Sequence, residues 1–277
     1  NMVVHSPAEG LPYRGVARAI HLVRWLSVAL GAVTVFFTYR IALEVLPLRP
    51  WVALAAAGIA GFTPMFAFIS GSVNNDNMAI ALATMTVWQL LRMLRLPSAP
   101  GRWVLLGTTM GLACLTKLNG LTLLPLAGIT LIWLCWRRRE GRLFLRNALC
   151  CLVPVLALSS WWYLRNAHLY GDPLGLNVFV AIVAPRRPGF GLSDLVGEWS
   201  SFVRSYWGVF GWMNVVAPAW FYDLFCVIIA VGLAGLVAAG MRRAIRRVRP
   251  TAEESFGLCL LALWPAGVFV SIVRWSL

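Results

Sequence analysis

The sequence predicts an all-α, polytopic integral membrane protein with about seven to eight membrane helices. The chain of 277 residues is 60% hydrophobic and only 12% charged, whereas soluble domains carry about 25% charged residues. Its mean hydropathy is +0.76, and long apolar runs recur from one end to the other. About 20 apolar residues cross the hydrocarbon core of a bilayer. We therefore expect residues 1–277 to form a single transmembrane domain.

Apolar runs divide the chain into candidate membrane helices separated by short loops. Asn1 begins in polar loop sequence, and Leu277 stops within or just past an apolar run. The chain is therefore expected to be a fragment of a longer protein. The candidate helices are 21–45, 51–70, 77–94, 103–116, 120–136, 147–164, 217–241 and 255–275.

The basic residues predict how the chain is oriented. The net charge is +14, but the arginines cluster in short loops between apolar runs, which favours membrane orientation over nucleic-acid binding. The arginine clusters at 137–146 and 242–249 should be cytoplasmic. Alternation of the predicted helices then places loop 71–76, the tip at Lys117 and the long loop 165–216 outside.

The long outer loop contains an amphipathic segment, LSDLVGEWSSFVRSYW, at residues 192–207. Its apolar residues recur at helical spacing, and polar residues fill the other side. A helix that lies in the outer membrane interface fits this pattern. A helix packed on the membrane domain fits it as well.

A run of four polar residues, Asn74, Asn75, Asp76 and Asn77, interrupts two apolar segments. Asn75 or Asp76 could simply cap the helix that starts near Met78, since Asn and Asp are favoured there and a carboxylate suits the helix dipole. A cap needs only one such residue. The functional alternative is that the run binds a sugar hydroxyl or a proton at the membrane surface.

Lys117 is the only lysine among 24 basic residues, and it lies between apolar runs. An ionisable residue at membrane depth is costly and is usually functional. We expect a helix break at Asn119-Gly120, with free backbone groups beside the ammonium and the N-terminus of the next helix adding positive potential. A phosphate at headgroup level is a natural partner, and snorkelling to lipid headgroups is the alternative.

The segment WWYLRNAHLYGDPLG, residues 161–175, follows a predicted membrane helix on the outer side. The planar guanidinium of Arg165 suits phosphate or carboxylate, and Asn166 could hold sugar hydroxyls or the backbone. Arg165 could also be a simple interfacial anchor. Gly171-Asp172-Pro173 is typical of a turn.

Three stretches resemble a known family. They are FTPMFAFISGSVNNDNMAIAL, LLGTTMGLACLTKLNGLTLLPL and WWYLRNAHLYGDPLG. Together they resemble bacterial GT-C-fold glycosyltransferases of the dolichyl-phosphate-mannose–protein mannosyltransferase type, glycosyltransferase family 39, and a neighbouring family of uncharacterised bacterial membrane proteins. The similarity runs over most of residues 20–175.

The resemblance implies a GT-C-like fold and sugar transfer from a polyprenyl-phosphate donor on the non-cytoplasmic face of the bacterial inner membrane. By the same resemblance Asp76 matches the acidic residue of the second outer loop, and we expect this catalytic residue to bind or orient the sugar or acceptor. The family's principal acidic residue, the expected general base, lies upstream of this sequence. The resemblance also matches Lys117 and the pair Arg165-Asn166 to motif residues of the family. We expect the substrate-binding residues to be Asn74, Asn75, Asn77, Lys117, Asn119, Arg165 and Asn166.

The expected partners are the polyprenyl-phosphate sugar donor, membrane lipid and an unspecified acceptor, with no nucleic acid. The sequence predicts no cofactor and contains no metal-site spacing, and it leaves use of a divalent metal ion open. Two rival functions remain. A transporter or flippase would also use intramembrane charge and broken helices, and a non-catalytic membrane scaffold would need Asp76 and Lys117 only for stability.

Overall fold

A computed structural model describes residues 10–183, 189–211, 213–247 and 249–276. These residues are helical almost throughout, which confirms the all-α prediction. The exception is a two-stranded antiparallel hairpin, β1 (Val209–Phe210) and β2 (Val215–Val216).

Twelve α-helices are present in the described residues. Three of them begin with a proline at the first helical position, where the missing N–H costs nothing. In chain order they are α1 (Gly15–Val45), α2 (Pro50–Phe62), α3 (Pro64–Ser70), α4 (Asp76–Arg95), α5 (Pro100–Thr116), α6 (Leu123–Arg138), α7 (Phe144–Tyr170), α8 (Leu176–Val183), α9 (Leu192–Gly197), α10 (Trp199–Gly208), α11 (Ala219–Ile245) and α12 (Ala252–Ser276).

The prediction of seven to eight membrane helices is wrong. Five helical segments in the described residues are long and apolar enough to cross a membrane: Gly15–Val45, Leu118–Arg138, Gly141–Tyr170, Ala219–Ile245 and Ala252–Arg274. A sixth arises if α2 and α3, which meet at a 64° bend, count as one broken span. The bend falls at Thr63, because the proline that follows it forces Thr63 into an extended conformation.

Helices α4 and α5 account for the difference. Helix α5 has 17 residues, about 25 Å at 1.5 Å per residue, which is shorter than the roughly 30 Å hydrocarbon core. Helix α4 has 20 residues but carries Asp76, Asn77, Gln89, Arg92 and Arg95, so it is too polar for a lipid-facing span.

Helix α4 lies inside the helix bundle instead of facing lipid. Half of its 20 residues are buried, and it packs against α1, α5, α6 and α12. The Gln89 amide donates to the Thr109 hydroxyl of α5 at 3.1 Å. At the C-terminal end of α4, the Arg138 guanidinium donates to the carbonyls of Met93 and Leu94, at 2.9 and 3.1 Å.

Helices α5 and α7 cross in direct backbone contact. A Cβ built on Gly107 would lie 2.0 Å from the Cys151 carbonyl oxygen, and one on Gly111 would lie 3.1 Å from the Pro154 carbonyl oxygen. Small residues four positions apart allow such close approach between membrane helices. The crossing therefore fixes where α5 and α7 end relative to each other.

The predicted amphipathic helix at 192–207 forms as two helices, α9 and α10, that break at Glu198. Trp199 and Phe202 of α10 contact the ring of Phe269 on α12, with centroids 6.2 and 5.9 Å apart. A cavity of about 680 Å³ with mainly apolar lining lies beside these contacts, lined by residues of α9, α10 and α12. The placement of these helices in the membrane interface stays a prediction.

The α5–α7 contact predicts opposite effects for two glycine substitutions. Gly107→Ala should lower the free energy of unfolding by about 1–3 kcal/mol, because the added methyl forces the two backbones apart. Gly128→Ala on α6 is the matched control, since nothing lies within 4 Å of the point where its Cβ would stand and alanine gains about 1 kcal/mol of helix propensity. Thermal unfolding in one detergent measures both, and equal shifts would contradict the contact.

Candidate functional site

The polar run at residues 74–77, where α4 begins, is hydrogen-bonded to the ends of α3 and α5. Asn75 occupies the N-cap position of α4, but its side chain makes no capping hydrogen bond. Its amide donates instead to the Thr116 carbonyl at the end of α5, at 3.2 Å. The interpretation of this run as a simple helix cap is therefore insufficient.

The two other asparagines hold the local backbone. The side-chain Oδ1 of Asn74 accepts from the backbone N–H of Asp76 at 2.9 Å. Asn77 is only 3% exposed, and its amide donates to the carbonyls of Ile69 and Ser72 at 2.9 and 3.2 Å. The backbone that carries the Asp76 carboxylate is thus fixed on both sides.

The side chains of Lys117 and Asp76 form an ion pair. Lys117 is the C-cap of α5, and Asp76 lies in the first turn of α4. Each charge therefore complements the partial charge of its own helix end. The Lys117 side chain is 37% exposed and the Asp76 side chain 32%, so the pair is open to solvent and to ligands.

The helix break lies at Lys117 and not at Asn119-Gly120 as predicted. A short 3-10 helix, Leu118–Thr122, follows Lys117 directly, and α6 begins only at Leu123. The Asn119 carbonyl accepts from the Thr122 hydroxyl at 2.6 Å. Lys117 therefore lies at a helix C-terminus, and the expected positive potential from the start of a following α-helix at Gly120 is not present there.

Gly120 serves a different purpose in this break. A Cβ at this position would lie 2.4 Å from the Ala113 carbonyl carbon and oxygen. The 3-10 helix therefore folds back onto the end of α5 only because residue 120 has no side chain.

The last turns of α7 bring a second cation to the same place. Arg165 stacks over the ring of Trp162, with Cζ 5.3 Å from the ring centroid. The Tyr163 hydroxyl donates to the Cys114 carbonyl of α5 at 2.7 Å. Asn166 is 5% exposed and its amide lies 3.5 Å from the Pro173 carbonyl.

The predicted turn at Gly171-Asp172-Pro173 ends α7, with Gly171 in the left-handed region at φ 65°. The Asp172 carboxylate accepts from the backbone N–H groups of Asn177 and Leu174, at 2.9 and 3.0 Å. These hydrogen bonds, that from Asn177 foremost, hold the pKa of Asp172 below its ordinary value.

A cavity of about 610 Å³ opens between α5, α7 and the segment after α7. Its lining combines two cations with aromatic and apolar groups, and among the described residues it includes no carboxylate. The lining residues that matter here are Asn75, Lys117, Trp162, Tyr163, Arg165 and Asn166.

Four of the eight residues singled out from the sequence line this cavity, namely Asn75, Lys117, Arg165 and Asn166. Asp76 does not line the cavity, but it forms an ion pair with Lys117, which does. Asn74 and Asn77 support the backbone, and Asn119 belongs to the 3-10 helix. Within the described ranges no group of three His, Cys, Asp or Glu residues is close enough to hold a metal ion.

Sequence reasoning did not single out Trp162 and Tyr163. Both lie in the WWYLRN segment, where aromatic residues are expected simply as an interfacial belt. Trp162 stands three positions before Arg165, and Tyr163 three positions before Asn166. Because residues three apart share a helix face, this spacing could have indicated a common cavity.

The Asp172 hydrogen bonds predict faster amide exchange at residues 174–177 in an Asp172→Asn variant. Because the pKa of Asp172 is lowered in the folded state, the ionised carboxylate stabilises this turn fully above about pH 4. The stabilisation disappears as the pH falls through the folded-state pKa. Hydrogen–deuterium exchange at pH 7 checks it. Asp223→Asn, an exposed carboxylate on α11, is the control and should leave residues 174–177 unchanged.

The chain matches a known family of membrane glycosyltransferases. The family model for dolichyl-phosphate-mannose-protein mannosyltransferases matches residues 17–163, more than half of the chain. The match includes Asp76 and Lys117 and ends just before Arg165. Comparisons with curated proteins and with solved structures found no match. The chain is therefore a multi-pass membrane protein that belongs to the dolichyl-phosphate-mannose-protein mannosyltransferase family of glycosyltransferases.

Proposed function

We propose that this protein transfers a sugar from a polyprenyl-phosphate donor to an acceptor on the non-cytoplasmic face of a bacterial inner membrane, and that its fold is GT-C-like. Family membership supports the reaction class and the lipid-phosphate donor. The single observation that carries the site assignment is the cavity that Lys117 and Arg165 both line, without a carboxylate among its described lining residues.

The two cations are suited to different parts of phosphate recognition. Arg165 presents a planar fork that can bind two phosphate oxygens at once, while Lys117 acts as a movable point charge. Both are available because their present partners, an aromatic ring and a partly exposed carboxylate, are weak competitors. We therefore assign the donor phosphate to the space between them.

The same cations would lower the barrier of the transfer step. As the bond between the sugar and the phosphate oxygen breaks, negative charge grows on the departing phosphate. Positive groups fixed at that point stabilise the transition state more than the ground state. Lys117 and Arg165 are thus proposed to neutralise the leaving group.

The polar groups beside the cations are proposed to hold the sugar and the acceptor. Asn75 and Asn166 line the cavity, and each amide has a carbonyl oxygen that can accept from a hydroxyl. Asp76 lies next to Lys117 and is proposed to bind or orient a hydroxyl of the sugar or acceptor. Asn74, Asn77 and Asn119 are proposed to contribute indirectly, through the backbone that they hold.

Replacement of either cation should reduce transfer strongly. Lys117→Ala and Arg165→Ala are each expected to lower kcat/KM by about 10²–10³, the usual cost of removing one group that stabilises developing negative charge. The measurement is sugar transfer from a polyprenyl-phosphate sugar by the purified protein.

Arg204→Ala is the matched control for Arg165→Ala, since Arg204 also stacks on an aromatic ring, 5.7 Å from the centroid of Tyr222, but lies outside the cavity lining. It should keep normal activity. Normal kcat/KM in Lys117→Ala would refute the phosphate role. Translocation of labelled lipid without transfer would favour a flippase instead.

The proposed orientation is tested by cysteine accessibility. Val73 is 58% exposed beside the polar run, and Arg139 lies at the end of α6. In intact cells a membrane-impermeant thiol reagent should label Val73→Cys above the background of the unsubstituted protein, and should not label Arg139→Cys. The reverse result would place the cavity on the cytoplasmic face.

A further inference from the structure

Lys117 lines the cavity, and its ammonium is engaged by Asp76. Asp76 itself is not among the lining residues. Lys117 therefore stands between two possible anionic partners, the carboxylate of Asp76 on one side and an anion in the cavity on the other.

The two members of the ion pair differ in freedom to move. The backbone around Asp76 is fixed because Asn74 accepts from the Asp76 N–H and Asn77 donates to the Ile69 carbonyl. The amide of Asn75 ties this backbone to the end of α5. The Lys117 ammonium is carried by a flexible four-carbon stem that is 37% exposed. A change of partner therefore requires movement of the lysine side chain only.

We propose that Asp76 and the phosphate of the lipid ligand compete for the ammonium of Lys117, so that Asp76 acts as a positioning residue that limits how tightly the phosphate is held. This inference rests on the proposed function, in which the cavity binds that phosphate. The exchange also frees the Asp76 carboxylate for a hydroxyl of the sugar or acceptor, the role assigned to it above.

The competition matters most for release of the product. A sugar-linked phosphodiester carries one negative charge, whereas the polyprenyl phosphate left after transfer is a monoester with a charge of about −1.5 to −2 at pH 7. Two cations therefore bind the monoester more tightly than the donor. When the Asp76 carboxylate pairs with Lys117 again, one of these cations is lost to the monoester, and release of polyprenyl phosphate is favoured.

The expected size of the effect is modest, because the ion pair is partly exposed. Pairs of this kind change equilibria by about two- to fivefold. Removal of the Asp76 charge should therefore tighten phosphate binding by about that factor. A merely structural role for Asp76 would instead weaken binding.

A double-mutant cycle tests this inference. The dissociation constant of farnesyl phosphate, a short isoprenyl phosphate, is measured by calorimetry for the protein in detergent and for Asp76→Asn, Lys117→Ala and the double variant. Asp76→Asn should bind about two- to fivefold more tightly, and Lys117→Ala more weakly. The double variant should match Lys117→Ala, because Asp76 then has no cation to compete for.

The outcomes separate the two proposals. Unchanged or weaker binding in Asp76→Asn, with Lys117→Ala still impaired, overturns the competition and leaves the phosphate site intact. Equal tightening with and without Lys117 also overturns it, since the effect would then be long-range repulsion. Unchanged binding in both Lys117→Ala and Arg165→Ala overturns the phosphate site itself. If Asp76→Asn does not fold, Asp76→Ser, which also suits the start of a helix, carries the same expectations.

Discussion

The site depends on the backbone contact between α5 and α7. Because Gly107 and Gly111 leave no side chains between the two helices, α5 cannot slide or rotate against α7 without losing that contact. Lys117 ends α5, and Arg165 lies in the last turns of α7. The distance between two cations that come from separate helices is therefore set by packing several turns away from them.

A second set of constraints acts at the end of the crossing. The Cys114 carbonyl is held by the Tyr163 hydroxyl of α7, and the Thr116 carbonyl by the Asn75 amide before α4. A helix C-terminus ordinarily leaves such carbonyls without intrahelical partners. Side chains from both neighbours satisfy them here, so the segment that bears Lys117 is ordered although it is not helical.

Much of the site was predictable because polar residues in an apolar chain stand out. Lys117 was singled out on cost, since an ionisable group among apolar runs needs a reason. Asp76 was singled out because it belongs to a polar run longer than a helix cap requires, and because it matches an acidic residue of the family. Their mutual contact follows from the antiparallel arrangement of α4 and α5, which brings the start of α4 beside the end of α5. The separate tasks of Asn74, Asn75 and Asn77 were not predictable, because each depends on which distant backbone group lies within reach.

The main prediction that failed was the number of membrane helices, and the reason is physical. Apolar content does not distinguish a helix that faces lipid from one that other helices enclose, and α4 is enclosed. Its Gln89 finds a partner in Thr109 of α5, which local sequence cannot reveal. Residues 51–70 were predicted as one helix, although Pro64 allows a bend there; a proline does not fix the angle of such a bend.

The pairing of both cations within the protein has a consequence for selectivity. Phospholipid headgroups carry the same phosphodiester charge as a lipid-linked sugar and vastly outnumber it at a membrane surface. Two unpaired cations would bind such headgroups as readily as the donor. With Lys117 paired to Asp76 and Arg165 stacked on Trp162, any phosphodiester must displace these contacts to bind. Under the proposed function, a headgroup that reaches only one cation therefore gains less than a lipid-linked sugar that engages both, even though each contact is weak.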